Sequence, residues 1–129
     1  YISTNNQFNT AWIKEISSFN AHYIARSRIN KNIFKPFLKG FTAAHFSSNV
    51  ICCKYDGDSL EYLTKNYPYF LKDYSVKGII QTIEYMQFTY KSNIWLEGLE
   101  IMKNVKQRSS NKYIIKEFKS LLNLISNQN

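Results

Sequence analysis

Punctuation is scarce in this chain: four glycines (Gly40, Gly57, Gly78, Gly98) and two prolines (Pro36, Pro68) serve 129 residues. Sandwiches and barrels need a turn signal about every 8 to 12 positions, so an all-β architecture is disfavoured and long helices are expected. Long apolar runs are missing too. None approaches the roughly 18 residues that a membrane span requires. At 44% hydrophobic and 16% aromatic content the chain is nevertheless too apolar for a disordered tail. Its length suits one domain with a core that needs no disulfide or metal.

Cysteine is limited to the neighbours Cys52 and Cys53. A disulfide framework needs separated partners, so an intracellular, cytoplasmic setting is the expectation. Adjacent positions on a helix diverge by about 100°, which is poor geometry for tetrahedral zinc. No metal site and no cofactor are expected. Glycine-rich phosphate loops, HExxH and nucleophile elbows are absent, and the nine acids are scattered without a catalytic pair. The chain opens on Tyr1 and shows no basic-then-apolar leader or lipidation motif, which suggests a mature product or a piece of a longer polypeptide.

Arginine is also scarce: Arg26, Arg28 and Arg108 are the three among seventeen basic residues. Reading base edges suits the guanidinium fork, so sequence-specific DNA recognition is disfavoured relative to backbone contact. The formal charge of +8 still asks for an anionic partner. Lysine, together with abundant Asn, Ile, Tyr and Phe, also fits AT-rich coding, and that bias supplies a blander cause.

What the chain does contain is helical periodicity. Phe8, Trp12, Ile16, Phe19 and Tyr23 make one stripe of a helix from about Thr4 to Arg28, with Thr4 and Gln7 at capping-box spacing. Pro36 suits the first turn of a second helix carrying Phe37, Leu38, Phe41, Ala44 and Phe46 to about Ser48. Asn49 to Tyr55 is β-branched and ends at Asp56-Gly57, a helix end or one short strand. Asp58 and Glu61 cap a short helix with Leu60 and Leu63. Ser75 opens a helix through Val76, Ile79, Ile80, Ile83 and Met86, although the alternation of TIEYMQFTY also permits a strand. Trp95, Leu99 and Met102 carry another to about Gln107. Ser110 caps a last one bearing Ile114, Ile115, Phe118, Leu121, Leu122 and Ile125. The expected fold class is therefore all-α: a single domain over 1–129, a compact bundle of five to six helices with at most one short strand near 49–55.

Two basic strips are the candidate nucleic-acid surface. Arg26, Arg28, Lys31, Lys35, Lys39 and Lys54 fall between Glu15 and Asp56 with no intervening acid. Lys103, Lys106, Arg108, Lys112, Lys116 and Lys119 meet Glu117 alone near the end. Packing of the first helix on the last would merge them into one groove for phosphates. Phe34, Tyr67, Tyr69 and Tyr90 are candidates to stack on unpaired bases. The function expected first is noncatalytic, nonspecific contact with RNA or single-stranded DNA, as an accessory domain of a larger phage or bacterial machine. A second reading is a metal-independent ribonuclease toxin in which His22, four residues before Arg26, works with His45 on the 2′-hydroxyl and the leaving oxygen. A third is a helical interaction module that meets a protein through Tyr67, Tyr69, Phe70 and Tyr74 of the segment YPYFLKDY.

Overall fold

The computed structural model describes residues 11–26 and 35–126. Its elements, in chain order, are α1 (Ala11–Ile16), β1 (Ala21–Tyr23), α2 (Leu38–His45), β2 (Asn49–Cys53), α3 (Ser59–Leu63), β3 (Phe70–Leu71), α4 (Val76–Phe88), α5 (Asn93–Arg108) and α6 (Asn111–Ser126). The three strands form a parallel sheet in the order β1-β2-β3, with Ala21 opposite Asn49 and Cys52 opposite Phe70. This corrects the all-α expectation: helices predominate, but α2 and α3 are crossovers between parallel strands, and parallel strands require such connections.

The expected helix from Thr4 to Arg28 is the main departure. Its start lies outside the described residues, and α1 ends at Ile16. The Ser17 and Ser18 hydroxyls donate back to the Lys14 and Glu15 carbonyls, each at 2.7 Å. Serines that bond locally in this way compete with helix continuation. Asn20 then leads into β1, where His22 and Tyr23 take alternate faces of a strand instead of a helical stripe.

β2 occupies the sheet centre and is buried along Asn49, Val50, Ile51 and Cys52. A continuous buried run is what a strand covered on both faces shows. α2 and α5 pack on each other and on β2, and α4 packs on β3. Gly98 allows α5 its close approach, because a Cβ there would stand 2.5 Å from Asn49 Oδ1 and 3.2 Å from the Tyr69 ring. Asn49 in turn donates through Nδ2 to the Trp95 carbonyl at 3.2 Å. The core comprises Val50, Cys52, Leu63, Tyr67, Tyr69, Met102 and Val105 with their neighbours.

YPYFLKDY is part of this core. Tyr67 and Tyr69 are 3% and 0% exposed, so neither serves as a surface stacking platform or docking aromatic. The Tyr67 hydroxyl accepts the Val50 N–H at 2.7 Å and donates toward the Val50 carbonyl and Asn49 Oδ1, at 2.9 and 3.2 Å. Tyr69 shares a 3.0 Å hydrogen bond with Thr89. Burial pushes both phenols above their ordinary pKa, so both stay neutral. Among the described residues no helix is long and apolar enough to cross a membrane.

Candidate functional site

Parallel topology gives the sheet two unlike edges. Each strand reaches the carboxyl edge and hands the chain to a helix that starts there, so helix N-termini collect on that side. The edge is held together by Asp56, which is 8% exposed. Its Oδ2 accepts the N–H of Arg26 beyond β1 and of Cys53 at the end of β2, both at 3.1 Å. Its Oδ1 accepts the Tyr74 hydroxyl, beyond β3, at 2.5 Å. One carboxylate therefore ties the three strand ends. Burial, and then the bond to Asp56, push the Tyr74 phenol well above its usual pKa, which keeps it a donor.

Cations surround this latch. Arg26, Lys54 and Lys72 follow β1, β2 and β3 in turn, and Lys35 and Lys39 flank the start of α2. The Arg26 guanidinium donates to the Lys35 and Pro36 carbonyls at 3.3 and 3.0 Å, which anchors the entry to α2 beside the end of β1. α2 itself has no side-chain cap: Phe37 sits at its N-cap, and its first turn contains Lys39 and no acid. A lysine there opposes the helix dipole, and uncapped first-turn N–H groups are natural donors to an anion. Beside the entry lies a hollow of about 340 Å³ lined by Trp12, Ile16, His22, Tyr23, Ile24, Lys39, Thr42 and Ala43.

A second region lies where α2 ends. A cleft of about 1230 Å³ opens between the end of α2, α5 and the start of α6. Lys103, Lys106, Lys112 and Lys116 line it, together with His45, Tyr113 and Leu99, and Glu100 is its one acid. Glu100 pairs with Lys103 at 3.2 Å. The Lys106 ammonium donates to the His45 carbonyl at 3.4 Å, and His45 Nε2 shares a 3.3 Å hydrogen bond with Ser109.

The expected site residues thus divide. Lys103, Lys106 and Lys112 come together with His45. Arg26, Lys35 and Lys39 gather at the carboxyl edge. Arg28, Lys31 and Phe34 lie outside the described residues. Arg108 is engaged elsewhere, donating to the Glu61 carboxylate at 2.8 Å and carbonyl at 3.1 Å, with its guanidinium 4.4 Å from the Tyr62 ring centre.

The two histidines are not brought together. His22 lies on β1 against Phe19 and lines hollows that His45 does not, so the paired-imidazole geometry of a ribonuclease is missing. His22 and Arg26 do not share a helix face either, since β1 replaces the helix. Burial holds the His22 imidazole below its ordinary pKa, and its Nε2 is buried without a hydrogen-bond partner among the described residues.

Cys52 is buried and its thiol is pushed up by that burial, so it is a core residue and not a reactive thiolate. Among the described residues no group of three or more His, Cys, Asp or Glu is placed to hold a metal ion. Asp56 is the residue of this edge that sequence reasoning missed, and Tyr74 was read there only as a docking aromatic. The Asp56-Gly57 turn was visible, but its role depends on three strands lying side by side. Comparison of the chain with family models, with curated proteins and with solved structures finds no match.

Proposed function

We propose that this chain binds a phosphate-bearing ligand of the nucleotide class at the carboxyl edge of its parallel sheet. The observation that carries the reading is the convergence there of Arg26, Lys35 and Lys39 on the uncapped start of α2, set beside strand ends fixed by Asp56. Open parallel sheets bind their ligands outside the carboxyl ends of the strands, and a helix N-terminus with adjacent cations is suited to phosphate. Trp12 and Tyr23, on the adjoining hollow, provide aromatic surface for a base or sugar. An intracellular setting, where thiols stay reduced, accords with free Cys52 and Cys53.

A second reading, nonspecific binding of RNA or single-stranded DNA, is favoured by the cleft that four lysines line. One set of titrations separates the two. Uridine and adenosine diphosphates, inorganic phosphate, and single-stranded RNA and DNA at two salt concentrations are titrated into the wild type, Lys39→Gln and a Lys106→Gln/Lys112→Gln double variant. The carboxyl-edge reading expects nucleotide binding that falls about tenfold or more in Lys39→Gln, the loss of one charge-assisted contact, and survives in the double variant. Strand binding that falls steeply with salt in the wild type and is lost in the double variant but not in Lys39→Gln supports the cleft instead. Absence of all binding rejects both.

A further inference from the structure

The last helix is amphipathic, yet among the described residues its apolar side is left exposed. At 100° per residue, Ile114, Ile115, Phe118, Leu121, Leu122 and Ile125 fall within an arc of about 120°. These six side chains are 46–59% exposed, and α6 contains no buried residue. Its neighbour is α5, and Tyr113 in its first turn is half-buried beside the lysine cleft. A helix of this length is marginal in water on its own, so the stripe calls for a cover.

The flanking charge says which cover. Lys112, Lys116 and Lys119 occupy one sector of about 60° on the polar side, and Glu117 is the single acid of the helix. A second copy is a poor fit. An antiparallel pair of these helices sets lysine flank against lysine flank, and each chain carries +8. The strip is also only about 24 Å by 10 Å, well short of the roughly 800 Å² per partner that a stable dimer buries.

An anionic bilayer surface meets both requirements. It accepts an apolar stripe about 5–10 Å deep with the helix lying in the plane, while lysine stems reach up to the headgroups. The length is wrong for crossing and right for lying flat. We propose that α6 docks this protein on an anionic lipid surface, with the Ile114 to Ile125 stripe inserted and Lys112, Lys116 and Lys119 facing the headgroups. The proposal is independent of the phosphate reading, because the Ile114 to Ile125 stripe lies outside both candidate sites, although Lys112 and Lys116 also line the lysine cleft.

The test is co-sedimentation of the whole chain with vesicles of phosphatidylcholine alone and of phosphatidylcholine containing phosphatidylserine. Leu121→Asp and Lys119→Gln are run beside the wild type. Both positions are exposed, and circular dichroism verifies that the variants fold. The expected result is binding to the anionic vesicles only, more than about tenfold weaker in Leu121→Asp and about fivefold weaker in Lys119→Gln. Nucleotide and nucleic-acid binding should be unchanged in Leu121→Asp. Three results overturn the proposal: no vesicle binding, anionic binding that survives Leu121→Asp, or a dimer in light scattering that Leu121→Asp dissolves.

Discussion

Replacing Asp56 by alanine removes the acceptor for the N–H groups of Arg26 and Cys53 and for the hydroxyl of Tyr74. A buried donor left without its partner costs about 1–3 kcal/mol, and bonds to a charged acceptor lie at the upper end. The Arg26, Cys53 and Tyr74 donors are half-buried, so water recovers part of that loss. The expected cost of Asp56→Ala is therefore about 3–5 kcal/mol, a large share of the total stability of a domain this size.

Asparagine separates charge from geometry. Its carbonyl still accepts the backbone N–H groups and its amide can donate to the Tyr74 hydroxyl oxygen, so Asp56→Asn should lose only about 1–2 kcal/mol. Urea unfolding followed by far-UV circular dichroism measures both, with an unchanged m-value indicating a like-for-like comparison. Asp56→Ala within about 0.5 kcal/mol of wild type would refute the latch. So would an asparagine variant as damaged as the alanine one.

Three further outcomes are expected from the same structure. Gly98→Ala forces a methyl to 2.5 Å from Asn49 Oδ1, and chemical denaturation should register a loss of about 1–3 kcal/mol as α5 is pushed off β2. Tyr67→Phe leaves the Val50 N–H without its 2.7 Å acceptor, and should cost about 1–3 kcal/mol in the same assay. Burial depresses the pKa of His22 below 6.5 in the folded chain. As pH falls through 6.5 the unfolded chain takes up the proton first, so this contribution to stability declines below that point, down to the folded pKa. Melting temperatures across that range should slope less in His22→Gln, and equal slopes would remove His22 as the cause.

How far the sequence was legible depended on whether a signal was local. Ser75, where the sequence opens a helix, accepts the Gly78 N–H and caps α4. α5 carries Trp95 and Met102 inward as its 3.6-residue period requires, whereas α4 buries Met86 but leaves Val76, Ile80 and Ile83 of the expected stripe exposed. β1 and β3 were hidden because they are three and two residues long, too short for periodicity to register, whereas β2 falls where the β-branched run at 49–55 allowed one short strand. Phe19 and Tyr23 kept a helical spacing by chance, and the local hydrogen bonds of Ser17 and Ser18 that end α1 give no periodic signal.

The site followed the same division. Lys103, Lys106 and Lys112 lie on two adjacent helices, so their meeting could be anticipated from one strip of sequence. Arg26, Asp56 and Tyr74 lie on three separate connections, and only strand pairing makes them neighbours. An aromatic segment such as YPYFLKDY reads equally as surface or core until the fold decides. Here the hydroxyls of Tyr67 and Tyr69 find partners inside, which lets both rings be buried.

The strand lengths also bear on how this chain behaves in a crowded solution. The five-residue strand is in the middle, and the strands at either side are three and two residues long. A sheet edge recruits other chains in proportion to the row of unpaired backbone groups it displays, and very short edges present little template for edge-to-edge stacking. Lys72 directly follows β3 and Arg26 lies three residues beyond β1, and charges so near a strand end discourage another chain from adding on. The longest strand, NVICC, is thus kept from other chains by its own neighbours, and an apolar strand of Val50, Ile51 and two cysteines can be carried without becoming a seed for aggregation.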